Sequence, residues 1–210
     1  DAMRNEFGAA DLKALISEVR AELNPHPAGQ LEHNIPKLDG EVVEGLQHKY
    51  RETVLFFPSS GQVCHSYCTF CFRWAQFVGD KDLKIAARES NQLQDYLRAH
   101  PEVTDVLVTG GDPLVMKTKN LRAHIEPLLE LEQIRTIRIG SKALTFWPQR
   151  VISDKDADDL LDLFREVQAA GKHLALMAHY NHWRELEPAI AREAIARVRE
   201  TGAQIRAQGP

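Results

Sequence analysis

The stretch able to do chemistry is Cys64-His65-Ser66-Tyr67-Cys68-Thr69-Phe70-Cys71-Phe72-Arg73, which holds all three cysteines of the 210 residues in a C-x3-C-x2-C spacing. Three thiolates on one short loop suit a [4Fe–4S] cluster and leave one iron without a protein ligand. An iron with an open position can bind a small molecule, which marks a reactive cluster rather than an electron relay. A structural zinc site is the main alternative. It needs a fourth ligand, His65 stands next to a cysteine already used, and the sequence has no second C-x-x-C-like hook. Inert thiols are the remaining reading. Disulfides are not expected, because the cysteine count is odd and no signal-peptide pattern precedes the loop.

The elements that must position this loop alternate in type. Leu12, Leu15, Ile16, Val19 and Leu23 fall on one helix face, most simply a packing element, which a breaker at Asn24-Pro25-His26-Pro27 ends. Residues 24–47 carry Pro, Gly and charge with little periodicity and read as a linker or wrapped arm. Thr53 to Phe57 is a short strand-like run, followed by the turn-like Pro58-Ser59-Ser60-Gly61 and the cysteine loop. Leu83, Ala86, Ala87, Ser90, Leu93 and Leu97 then trace a helix, ended by His100-Pro101. Asp105 to Thr109 is a strand entering Gly110-Gly111-Asp112-Pro113. Leu121, Ile125, Leu128 and Leu129 mark a helix that Pro127 is placed to bend.

A strand over Ile134 to Ile139 precedes a helix through Ala157, Leu160, Leu161, Phe164 and Val167, with Gly171 as its stop. Leu174 to Ala178 is the fourth strand. A helix through Ile190, Ala194 and Val198 leads to a fifth, Ala203 to Ala207. Five strands separated by helices demand parallel pairing with right-handed crossovers. The expected fold class is therefore α/β, a partial (β/α) barrel whose chemistry lies on loops at the C-terminal ends of strands. The cysteine loop, Gly110-Gly111-Asp112, Ser141-Lys142 and His179-Tyr180-Asn181-His182 all sit at such ends.

Composition narrows the class. A net charge of −4, with both signs mixed along the chain, leaves no basic footprint for nucleic acid. No apolar run approaches the ~20 residues that span a bilayer, and a reducing, cytoplasmic location is expected. The chain starts at Asp1 and stops at Gly209-Pro210 just after a strand-like run, as a chain trimmed at both ends would.

The cysteine spacing, with the aromatic Phe70 before the third cysteine, resembles the radical S-adenosylmethionine (SAM) enzymes. In that superfamily the open iron chelates the amino and carboxylate groups of SAM, and electron transfer cleaves SAM to a 5′-deoxyadenosyl radical. Several segments resemble lysine 2,3-aminomutase and its relatives more narrowly. They are Cys64-x3-Cys68-x2-Cys71-x-Arg73, Val108-Thr109-Gly110-Gly111-Asp112-Pro113-Leu114, Arg138-Ile139-Gly140-Ser141-Lys142, Pro148-Gln149-Arg150-Val151 and His179-Tyr180-Asn181-His182, in order from about His48 onward.

Ahead of that match, residues 1–47 read as an N-terminal helix and arm. A barrel core of the radical SAM type would follow over 48–210, stopping after the fifth strand. The resemblance implies an enzyme that uses the cluster, SAM and pyridoxal phosphate (PLP) to move an α-amino group to the β carbon of an amino acid. Lysine is the family default, with glutamate and arginine open. An electron donor such as flavodoxin or ferredoxin is implied, and a homo-oligomer stays open.

By the same likeness Phe70 offers an apolar face for adenine, Gly110 and Gly111 let backbone approach a ligand, and Asp112 accepts from the SAM ammonium. Ser141, His179 and Gln208 face SAM, while Lys142 and His182 are solvated or supporting groups. Arg73 pairs bidentately with the substrate carboxylate; its alternative is a surface cation. Two departures stand out. The family's His-Arg-Tyr grip on the PLP phosphate reads His48-Lys49-Tyr50 here, so Lys49 and Tyr50 are the PLP candidates. Thr53 replaces a second arginine. A radical SAM enzyme of another reaction type without PLP, and a non-enzymatic metal-binding scaffold, remain open from the residues alone.

Overall fold

Apolar residues at every second position decide the sheet. A computed structural model describes residues 8–23, 33–66, 68, 70, 71, 73, 85–88 and 90–208. The chain divides into two compact units, one of Asp1–His33 with Cys71–Lys84, the other of Asn34–Phe70 with Ile85–Pro210. The described part of the first is chiefly helix α1, Ala9–Leu23. Its apolar stripe forms as the spacing predicts, yet Leu15, Ile16 and Val19 are exposed at 38%, 41% and 44% rather than packed.

The second unit opens with a small antiparallel hairpin, β1 (Lys37–Leu38) and β2 (Glu41–Val42), inside the stretch expected to be a linker or wrapped arm. Then come β3 (Leu46–Tyr50), β4 (Thr53–Phe56), α2 (Asn91–Ala99), β5 (Asp105–Val108), α3 (Thr118–Leu129) and β6 (Thr136–Ser141). Two short helices follow, α4 (Ala143–Phe146) and α5 (Gln149–Ile152), and then α6 (Ala157–Ala169), β7 (His173–His179), α7 (Ala189–Glu200) and β8 (Gln204–Gln208). β3 to β8 form one six-stranded sheet in chain order.

The five expected strands, β4 to β8, are all parallel. β6 starts two residues late because the Ile134 amide still closes a turn on the Leu131 carbonyl. β3 was not foreseen; a two-residue turn at Arg51-Glu52 folds it back antiparallel on β4. Among the described residues no pairing joins β3 to β8, so the observed architecture is an open α/β sheet.

Register lines Val54, Val106, Ile137 and Leu174 in one row and Phe56, Val108, Ile139 and Leu176 in the next. All eight are buried, in one core with Leu93, Leu97, Leu121, Ile125, Leu160, Phe164 and Val198 of the helices. Each such side chain contributes roughly 1.5–3 kcal/mol relative to exposure. The opposite face is half-buried and carries a polar row: Thr53 donates to Asp105 at 3.2 Å, and Arg138 pairs with the same carboxylate at 2.7 Å.

One helix expectation is corrected. The helix traced from Leu83 begins only at Asn91, because Ala87 is extended and pairs in parallel with Pro58; Leu83 lies outside the described residues. Pro127 lies inside α3. It removes the amide that would bond the Ala123 carbonyl, and the Ser90 hydroxyl donates to that carbonyl instead, at 3.4 Å. No helix among the described residues is long and apolar enough to cross a membrane.

Candidate functional site

A parallel sheet delivers every strand's C-terminal end to one edge, and the expected site residues collect there. The approach to Cys64 is held first. The Gly111 and Asp112 amides donate to the Gly61 carbonyl at 3.1 and 3.2 Å, and the Asp112 amide donates also to Val63 O at 2.8 Å. Gln62 Nε2 donates to Pro58 O at 3.1 Å and Thr109 O at 3.4 Å, tying the same approach to the end of β5.

The glycines expected to admit a ligand admit the chain itself. A Cβ on Gly110, whose φ of 141° already favours glycine, would lie 1.9 Å from Gln62 Nε2. One on Gly111 would lie 2.3 Å from the Val63 carbonyl oxygen. Backbone cannot yield as a flexible side chain can. Gly111→Ala is therefore expected to lose about 1–3 kcal/mol of stability, the range for overpacking, and to displace the cysteine loop. Urea unfolding checks it, and a midpoint equal to the parent's would refute the close approach.

Asp112 is 1% exposed and accepts three hydrogen bonds from its own chain. Oδ1 accepts from the Leu114 amide at 2.9 Å, and Oδ2 accepts from Ser141 Oγ at 3.0 Å and the Lys142 amide at 2.8 Å. Burial pushes its carboxyl pKa up, against those three hydrogen bonds and nearby His65, which lower it. It is a bracket between the loops after β5 and β6. Ser141 Oγ in turn accepts from the Ala143 amide at 3.0 Å, starting α4.

His179 ends β7, next to Gln208 of β8 in register. Burial lowers its pKa, and Lys142 lowers it further while Asp112 opposes. The Phe70 ring stacks on the imidazole with centroids 6.1 Å apart and planes 21° from parallel. This contact brings the loop carrying Cys64 and Cys68 to the sheet edge that holds Asp112, Ser141 and His179. His65 meets Trp147 edge-on at 6.1 Å on the same side.

None of the three cysteines is in a disulfide, and all are half-buried; Cys64 Sγ donates to Ser66 O at 3.0 Å. Among the described residues, no group of three His, Cys, Asp or Glu side chains is gathered to hold a metal ion. Three cysteines on one loop are nonetheless a donor set that would suit an iron–sulfur cluster, which would take one thiolate at each of three irons. Arg73 is buried at 8% exposure, which removes its reading as a surface cation. Burial lowers its pKa to about 10, opposed by the Cys71 thiolate, so it stays charged at neutral pH.

Lys49 and Tyr50 do not join this edge. β3 runs antiparallel, so Tyr50 pairs with Thr53, where the parallel strands begin, at the edge opposite the cysteine loop. Both are exposed, with Lys49 Nζ 5.4 Å from the Tyr50 ring centre. His48 of the same strand is a strut, its Nδ1 2.6 Å from the Tyr96 hydroxyl. The described residues therefore do not assemble a PLP phosphate site around this pair.

Lys142 is buried rather than solvated, whereas His182 is exposed and accepts from the Arg184 amide. Three residues of consequence carried no assigned role in the sequence: Gln62, Glu185 and Arg150. Only Arg150 gave a signal, a cation inside the Pro148-Gln149-Arg150-Val151 motif. It is 1% exposed and ties the loop after β5 to the turn before α6.

No protein-family model matches the chain. It is 42% identical over 168 residues to a protein of Aquifex aeolicus provisionally named L-lysine 2,3-aminomutase, covering 80% of this chain and 43% of that protein. It is 30% identical over 165 residues to the L-lysine 2,3-aminomutase of Clostridium subterminale, covering 79% and 36%. It is 29% identical over 168 residues to the Escherichia coli enzyme of that name, covering 78% and 44%. The chain spans less than half the length of these relatives. With likeness of this extent across most of its residues, the chain belongs to the lysine 2,3-aminomutase family.

Proposed function

We propose that this chain is the SAM-binding part of a radical SAM aminomutase that moves an α-amino group of an amino acid, L-lysine by the relatives' names, to its β carbon. The observation that carries the reading is the Phe70–His179 stack, which joins the cysteine loop to the strand ends bearing Asp112 and Ser141. The half-buried second face of the sheet, with its Thr53–Asp105–Arg138 row, is then the inner wall of a partial barrel.

Cys64, Cys68 and Cys71 would hold a [4Fe–4S] cluster. When bound, it supplies the electron that cleaves SAM to a 5′-deoxyadenosyl radical, fed by a flavodoxin- or ferredoxin-like donor. The chain's own side chains do the rest. Phe70 gives adenine an apolar face, and Ser141, neutral His179 and Gln208 offer hydrogen bonds to SAM. Asp112 braces the turn beside the cysteine approach and keeps acceptor capacity toward an ammonium. Arg73, charged and desolvated, clamps the substrate carboxylate, and such positioning is what hydrogen abstraction at the β carbon demands.

The test is anaerobic reconstitution of the full-length protein with iron, sulfide and PLP, then reduction in the presence of SAM and L-lysine. β-Lysine is expected, with 5′-deoxyadenosine accumulating only from turnovers that do not return the hydrogen, and a protein that cannot cleave SAM is no radical SAM enzyme. Arg73→Lys should keep the cluster and SAM cleavage but weaken amino acid binding about tenfold or more, since a point cation loses the two-pronged bond. Turnover at the parent's efficiency would remove Arg73 from the site.

A second reading, a radical SAM enzyme of another reaction type without PLP, is favoured by one observation: Lys49 and Tyr50 lie at the far sheet edge. An imine absorbance band of bound PLP in the full-length protein decides between the two.

A further inference from the structure

We propose that the buried Lys142–Glu185 pair positions the Phe70–His179 platform for SAM. This inference rests on the radical SAM reading. The Lys142 side chain is 2% exposed and that of Glu185 15%, with Nζ and Oε2 3.0 Å apart. Nζ also donates to the His179 carbonyl at 3.4 Å. Glu185 Oε1 accepts from the Asn181 amide at 3.2 Å, and Oε2 accepts from Thr145 Oγ1 at 3.2 Å. The backbone leaving β7 is thus pinned on both sides of Tyr180, at His179 O and at Asn181 N.

The imidazole on which Phe70 stacks is carried by that pinned backbone. Lys142's own amide is bonded to Asp112 at 2.8 Å, so one residue connects the loops after β5, β6 and β7. A buried ion pair is a poor way to gain stability, because apolar residues of similar volume usually serve as well. Its value here is directional. A lysine reaching from one loop to two acceptors of another fixes how the second leaves the sheet, which an apolar contact would not.

The experiment uses the full-length, cluster-loaded protein and measures iron content, melting temperature and SAM affinity by equilibrium dialysis. Lys142→Met combined with Glu185→Gln removes both charges and keeps an acceptor for Asn181. Iron content and melting temperature should stay near the parent's, while SAM affinity falls about tenfold. Lys142→Arg, which keeps a donor and the charge, should rescue most of that loss.

The same change made on top of Phe70→Ala should cost SAM binding little more, since the pair acts through that ring. If the double variant does not fold, Lys142→Gln with Glu185→Gln, which leaves no unpaired buried charge, is read in the same way. Unchanged SAM affinity in the neutral pair, or a full loss additive with Phe70→Ala, overturns the positioning role. A parent that binds no SAM overturns the radical SAM reading itself, and the inference with it.

Discussion

Cys68→Ala should reduce reconstituted iron from about four atoms per chain to almost none. The loop supplies three thiolates, and a [4Fe–4S] cluster already has one iron without a protein ligand, so a second open iron leaves it to dissociate or degrade. Cys68 is half-buried and lies outside the hydrophobic core. The iron-free variant should therefore melt within a degree or so of the iron-free parent. That pairing of results separates loss of the cluster from loss of the fold. The SAM-dependent change in the cluster's EPR signal should vanish with the iron. A variant that keeps both iron and SAM response would overturn the cluster assignment, and zinc bound in place of iron would favour a structural site.

Arg150→Met should be the most destabilising single change outside the core. The guanidinium is buried and donates to Leu114 O at 2.8 Å, Met116 O at 3.0 Å and Thr118 Oγ1 at 3.0 Å, and it pairs with Asp156 at 3.1 Å. Met fills much of the volume and none of the bonds. Two buried carbonyls would lose their donor and a partly buried carboxylate its cation. Each buried carbonyl left without a donor costs about 1–3 kcal/mol, and together these losses lower the melting temperature on the order of 10 °C for a chain of this size. Arg150→Lys should recover only part, because one ammonium cannot span acceptors on three segments. A melting point within 2–3 °C of the parent in Arg150→Met would refute the knot, that being about the shift of a single kcal/mol.

The knot also touches the site. Leu114 follows Asp112 by two residues, and its amide is the donor to Asp112 Oδ1. Loosening residues 114–118 should therefore also slacken the bracket that holds Ser141 and the approach to Cys64.

Much of this was legible in the order of residues because the causes are local. The C-x3-C-x2-C spacing puts three thiols on one loop whatever the rest of the chain does. Apolar alternation at Val54, Phe56, Val106 and Val108 marks strands, and 3.6-residue stripes between them force parallel crossovers, so the edge for chemistry followed. Gly110 and Gly111 announced a close approach, and only the fold decided that Gln62 and Val63 make it. Lys142 reads as a solvated or supporting group, and only Glu185, 43 residues later, decides for the supporting one, which is buried. Burial of a charge depends on a partner that no local pattern names. The direction of β3 turned on the two-residue turn at Arg51-Glu52, and reversing one strand moved Lys49 and Tyr50 to the far side of the sheet. Spacing is a property of the chain; which edge, which partner and which depth are properties of pairing between segments far apart in it.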